Sequence, residues 1–134
     1  MIVLSNSVAQ TLAPGQSATF DTIVSHTGNA ECFRPTSGAV RLRCRNAIYN
    51  VHCGANIGAT AAGAAQIAVS FDGSPLLETT MISQTAAAGD LNSVNRETSV
   101  NTCCCNGGAI TVVNTGTTEI TLGANPLLYI RRVA

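Results

Sequence analysis

Val40-Arg41-Leu42-Arg43-Cys44-Arg45 alternates apolar and charged residues without a break. A strand sends successive side chains to opposite faces, so Val40, Leu42 and Cys44 share one face and Arg41, Arg43 and Arg45 the other. Residues 48–57 repeat the pattern, with Tyr49, Val51, Cys53, Ala55 and Ile57 on one side. Residues 66–71 give Ile67, Val69 and Phe71, after which Asp72-Gly73-Ser74-Pro75 turns the chain. Residues 17–25 alternate as well, and residues 7–12 end at the turn signal Ala13-Pro14-Gly15. Segments 76–82, 93–104, 109–114, 118–122 and 127–133 complete the set. The alanine-rich stretches 59–65 and 85–90 read as loops, because Gly58, Gly63 and Gly89 interrupt them. About ten short strands with regular turn signals predict an antiparallel β-sandwich or barrel.

The chain has 134 residues, enough for one domain, and neither a repeat nor a linker divides it. It is 46% hydrophobic and 10% charged, too apolar for a disordered tail. Lys+Arg and Asp+Glu both number 7, for a formal net charge of +0. That balance argues against a nucleic-acid binder, which carries basic excess to offset phosphate. No apolar run approaches the roughly 18 residues of a membrane span. The opening Met-Ile-Val-Leu-Ser-Asn-Ser has no positive n-region, so synthesis in a cytoplasm is expected. Every basic residue is arginine, whose planar fork suits interfaces. Few charges and no net charge also favour self-association.

Catalytic constellations are not apparent. The acids Asp21, Glu31, Asp72, Glu78, Asp90, Glu97 and Glu119 are scattered, and no Gly-x-Ser-x-Gly or phosphate-binding loop occurs. His26 and His52 are the available imidazoles, and His52 falls on the non-core or interface side of its strand. Two histidines without a His-x-His pair do not furnish a cupin-like metal site. No enzyme activity, cofactor or metal is therefore expected. The cysteines Cys32, Cys44, Cys53 and the run Cys103-Cys104-Cys105 lack zinc-site spacing. They remain open to four readings: packed thiols, disulfides formed after release, a metal shared at a symmetry axis, or a nucleophile. The Arg41, Arg43, Arg45 stripe reads either as a solvated face or as an interface with an acidic partner.

Three stretches together resemble a known family. Phe33 to Val51 carries Phe-Arg-Pro, then Gly-Ala-Val-Arg-Leu, then Tyr-Asn-Val. Gln66 to Leu76 is an apolar strand followed by Asp-Gly-Ser-Pro-Leu. Cys103 to Ala134 contains Val-Asn-Thr-Gly and ends Asn-Pro-Leu-Leu-Tyr-Ile-Arg-Arg-Val-Ala. The pattern resembles the small jelly-roll domains of the complement-globular-head and tumour-necrosis-factor type found in bacteria and their phages. That resemblance implies a ten-stranded jelly roll over residues 16–134, assembled as a homotrimer. It also implies a structural role such as decoration of a phage capsid, with the major capsid protein or another virion protein as partner. A virion location follows, without nucleic acid or membrane. There is no collagen-like stalk or coiled-coil stem, so direct surface decoration is expected over a fibre tip. Residues 1–15 are expected as an arm or a first strand, and as a docking segment. The interface residues expected are Arg41, Arg43, Arg45, Tyr49, Tyr129 and Arg131. The alternative is a receptor- or glycan-binding head of a phage fibre or a bacterial surface or spore protein, using loops 58–65 or 84–92.

Overall fold

The computed structural model describes residues 1–33, 38–102 and 108–134. Among these residues thirteen strands appear in chain order. They are β1 (Ile2–Ser5), β2 (Gln10–Leu12), β3 (Thr22–His26), β4 (Glu31–Phe33), β5 (Val40–Leu42), β6 (Ile48–Ala59) and β7 (Gly63–Phe71). β8 (Ser74–Pro75), β9 (Met81–Thr85), β10 (Asn92–Asn101), β11 (Gly108–Asn114), β12 (Ile120–Leu122) and β13 (Leu127–Arg132) follow. Apart from one 3-10 turn at Leu77–Thr79, the described residues contain no helix.

Two antiparallel sheets face each other as a jelly-roll sandwich. The first runs β2–β12–β6–β13–β1–β3, with β10 on the other edge of β6. The second runs β4–β5–β11–β7–β8, with β9 beside β8 on the same edge of β7. Long β6 organises the first sheet. β10 pairs along Ile48–Ile57, while β13 and β12 share the opposite edge, at Tyr49–Gly54 and Ile57–Ala59.

The alternation read from the sequence becomes the core. Val40 and Leu42, then Tyr49, Val51 and Cys53, then Ile67 and Val69 are all buried between the sheets. Ile110 and Val112 of β11 and Leu128 and Ile130 of β13 join them. The Asp72–Gly73 turn is as the sequence predicts. Both residues take positive φ, 51° and 85°, as a two-residue hairpin of the twisted type demands. The Asp72 carboxylate accepts the Ala109 N–H at 2.8 Å, which ties the turn to β11.

Several strands depart from the sequence reading. Residues 17–25 do not form one strand. Ser17 bridges Val113 in the second sheet, Thr22 pairs Ser5 in the first, and the chain crosses between them. Arg43 and Arg45 lie beyond β5, which ends at Leu42, in a loop where Asn46 takes φ of 49°. Segment 76–82 breaks at the 3-10 turn. The alanine-rich 59–65 stretch is mostly strand, since β6 runs to Ala59 and β7 starts at Gly63. In the first fifteen residues, β1 lies between β13 and β3, and β2 pairs β12.

Candidate functional site

The outer face of the first sheet is built by the strand period. Since Tyr49, Val51 and Cys53 point inward, Ile48, Asn50, His52, Gly54 and Asn56 point outward from β6. The register sets Glu97 of β10 and Tyr129 of β13 directly across from His52, and Val3 of β1 across from Tyr129. This cross-strand row, Glu97–His52–Tyr129–Val3, runs across the middle of the sheet. His52, Tyr129 and Val3 are half-buried, and Ile48 and Leu127 are exposed at 38% and 36%. Around them the face is polar. Ser99 donates to Asn50 at 2.9 Å and Ser93 to Asn56 at 2.6 Å.

Gly54 leaves a gap in this face. The result is a shallow depression of about 430 Å³, bordered by His52, Asn56, Ser93, Asn95, Asn125 and Leu127. Its rim offers amide and hydroxyl groups and the His52 imidazole, and no carboxylate. Such a surface can hydrogen-bond hydroxyls or peptide groups. It has no pair of acids with which to perform general acid–base chemistry.

The expected interface residues fall in different places. Tyr129 lies on the outer face just described, and Arg131 follows it two positions on, exposed. Arg41 is exposed on the outside of the second sheet, beside Cys32 of β4 and Ala109 of β11. Arg43 and Arg45 are exposed in the loop after β5. Tyr49 is a correction: it is 0% exposed and belongs to the core. Its hydroxyl donates to the Ala30 carbonyl at 2.8 Å and accepts the Cys44 N–H at 3.2 Å. The aromatic ring marked it as an anchor, but its parity with Val51 and Cys53 already put it inside.

Cys32, Cys44 and Cys53 are free thiols. The Arg132 guanidinium donates to Cys44 Sγ at 3.6 Å. Cys103, Cys104 and Cys105 lie outside the described residues. Among the described residues, no group of three or more His, Cys, Asp or Glu side chains could hold a metal. No helix among them is long and apolar enough to cross a membrane.

Burial pushes the Cys53 thiol up from 9.0 to about 12. Burial, followed by the Cys44 contact, also raises Tyr49. Both groups keep their protons in the folded state after the unfolded chain has begun to lose them. Their stabilisation is complete below the unfolded values and is lost as pH rises toward the folded ones. Unfolding free energy should therefore fall from about pH 9 upward. Urea titrations at successive pH values should show the slope, and Cys53→Ala should make it shallower.

The sequence reading missed a buried carboxylate. Glu31 is 1% exposed and pairs with the Met1 ammonium at 2.8 Å, linking β4 to the start of β1 across the sandwich. Its other oxygen has no hydrogen-bond partner among the described residues. Glu31 sits next to Cys32 in a short strand without alternation, so no pattern separated it from the other acids.

No family model matches the chain, and no curated protein sequence does. Solved structures match it along nearly its whole length. The crystal structure of murine APRIL at pH 5.0 is similar with a TM-score of 0.63 and 16% identity, covering 97% of this chain and 98% of that one. Murine APRIL at pH 8.0 gives a TM-score of 0.65 at 12% identity, covering 97% and 96%. PRD1 vertex protein P5 gives 0.52 at 10% identity, covering 99% and 97%. At these identities the likeness is one of fold, and the fold is a jelly roll of the tumour-necrosis-factor type.

Proposed function

We propose that the chain is a non-enzymatic structural protein of a phage virion, which assembles as a homotrimer and decorates the capsid surface. The observation that carries this reading is the outer face of the first sheet. Leu127 and Tyr129 flank His52 there, Val3 lies one strand beyond and Ile48 farther along β6, all partly exposed among polar side chains. An apolar centre with a polar rim is the composition of an interface core. A head-to-tail contact that repeats around a closed ring satisfies every interface. Three copies is the number the family resemblance implies. The likeness to PRD1 vertex protein P5 fits a place in a virion. The partner is then the major capsid protein or another virion protein, met after synthesis in the host cytoplasm. A protein that binds only the assembled lattice stabilises it by mass action.

A second reading is a receptor- or glycan-binding head, and the depression over Gly54 favours it. Asn56, Ser93, Asn95 and Asn125 give that depression a neutral, hydroxyl-matching lining.

Native mass spectrometry of the purified chain, with and without reductant, tests the first reading. A trimer is expected in both conditions. Tyr129→Glu should shift the population to monomer while leaving the β circular-dichroism signal intact, since a charge there would be buried unpaired in the interface. A wild-type monomer in both conditions would remove the trimer.

A further inference from the structure

Most of the described arginines gather at one end of the sandwich, with Arg96 at its middle. Registers place Arg132 beside Tyr49 and Arg131 beside Asn50, at the end of the first sheet where β6 begins and β13 finishes. Arg43 lies at the same end, its N–H bound to the Ala30 carbonyl, and Arg41 is two residues before it. All four are exposed. Arg45 shares this end and has a partner within the fold. None of Arg41, Arg43, Arg131 and Arg132 forms an ion pair with a described residue, though Arg132 donates to the Ala134 carbonyl at 3.1 Å and to Cys44 Sγ at 3.6 Å. Two acids lie nearby. Asp72 holds the Ala109 N–H, and Glu31 is buried against Met1.

The opposite end, at the β6–β7 connection, carries acids. Glu119 O accepts the Thr60 N–H there, and Asp90 approaches Gly58. Asp21, held by Ser7 and Thr22, lies in the same half. Three acids thus gather at one end and most of the described arginines at the other, with Arg96, Glu97 and Glu78 between them.

We propose that the arginine end is a docking surface for an acidic protein surface. Guanidinium forks match carboxylates in pairs, and like charges gathered at one end become more favourable when an opposite surface meets them. A nucleic acid fits less well, because the acidic half leaves no continuous basic track for a phosphate backbone. The orientation of the assembly, though not the docking itself, rests on the ring proposed above. A cyclic axis along the strands would put every copy's arginine end on one side, so the ring would mount by that side and present its acidic side outward.

Fluorescence anisotropy of labelled poly-L-glutamate with the full chain at low salt tests this, with duplex DNA as the competing probe. Arg43→Gln and Arg131→Gln should each weaken polyglutamate binding about threefold, and the pair about tenfold. Arg96→Gln removes the same charge from mid-sandwich and should change it less than about twofold. Circular dichroism checks that each variant folds. Equal losses from Arg43→Gln and Arg96→Gln would overturn the docking surface in favour of net charge alone. Absent polyglutamate binding would overturn it too, and tighter DNA binding would overturn the acidic-protein partner. Native mass spectra of the same samples keep the two proposals apart. A trimer that ignores polyglutamate sinks the docking surface alone, while a monomer that binds it supports the docking surface and removes the ring.

Discussion

Asn114→Ala should lower the unfolding free energy by about 3 kcal/mol, read as a lower urea midpoint at unchanged slope. Asn114 is 0% exposed and ends β11 at the Val113-Asn114-Thr115-Gly116 turn. Its amide nitrogen donates to the Leu12 carbonyl at 3.0 Å and to the Thr118 carbonyl at 2.9 Å. Its amide oxygen accepts the Gly116 N–H at 2.9 Å. One side chain thus ties the turn closed and joins it to β2, the strand that pairs β12 at the edge of the first sheet. Alanine would leave three backbone groups without that partner in a site water reaches poorly, and each such loss costs about 1 kcal/mol or more. Asn114→Asp should be at least as damaging. A carboxylate has nearly the same shape but cannot donate, and it would face two carbonyl oxygens.

Tyr49→Ala should cost about 4 kcal/mol, the usual scale for removing a large aromatic side chain from a packed core. Tyr49 is among the largest fully buried side chains of the chain. Tyr49→Phe separates the two parts of its role. It keeps the ring and removes the hydroxyl bonded to Ala30 and Cys44, so about 1 to 2 kcal/mol should be lost. Thermal or urea unfolding of both variants checks the ratio. Near-equal losses would mean that the hydroxyl, not the packing, dominates.

These two positions show what was legible in the sequence and what was not. Alternation exposes a strand whose two faces meet different solvents. Residues 48–57, 66–71, 109–114 and 127–133 were readable for that reason, and the jelly roll followed from them. Ile2–Ser5 was not, because Ile-Val-Leu is apolar throughout and carries no period. Its parity appears only in the fold, where Ile2 and Leu4 are buried and Val3 is half-buried. Glu31–Phe33 was too short to show a pattern. The arginine stripe looked like one strand face, but β5 ends at Leu42 and leaves Arg43 and Arg45 in the loop that turns at Asn46. Arg131 and Arg132 could join them only through the pairing of β13 with β6, which is a tertiary fact. The outer-face row was hidden for the same reason: His52, Glu97 and Tyr129 lie far apart in sequence, and register alone sets them side by side.

The pairing of β1 with β13 has a kinetic consequence. Ile2 sits opposite Ile130, and Leu4 opposite Leu128. During synthesis β1 emerges early and must wait for β13, which emerges more than a hundred residues later. Until then the inner edge of β1 is open, with Ile2 and Leu4 lacking their final neighbours, and an open edge can pair with another nascent chain. Contacts this distant in sequence close slowly, on the millisecond-to-second scale typical of all-β domains. Yield in the cell should therefore depend on how many unfinished copies share the same volume, so slower expression would give more folded protein from the same message.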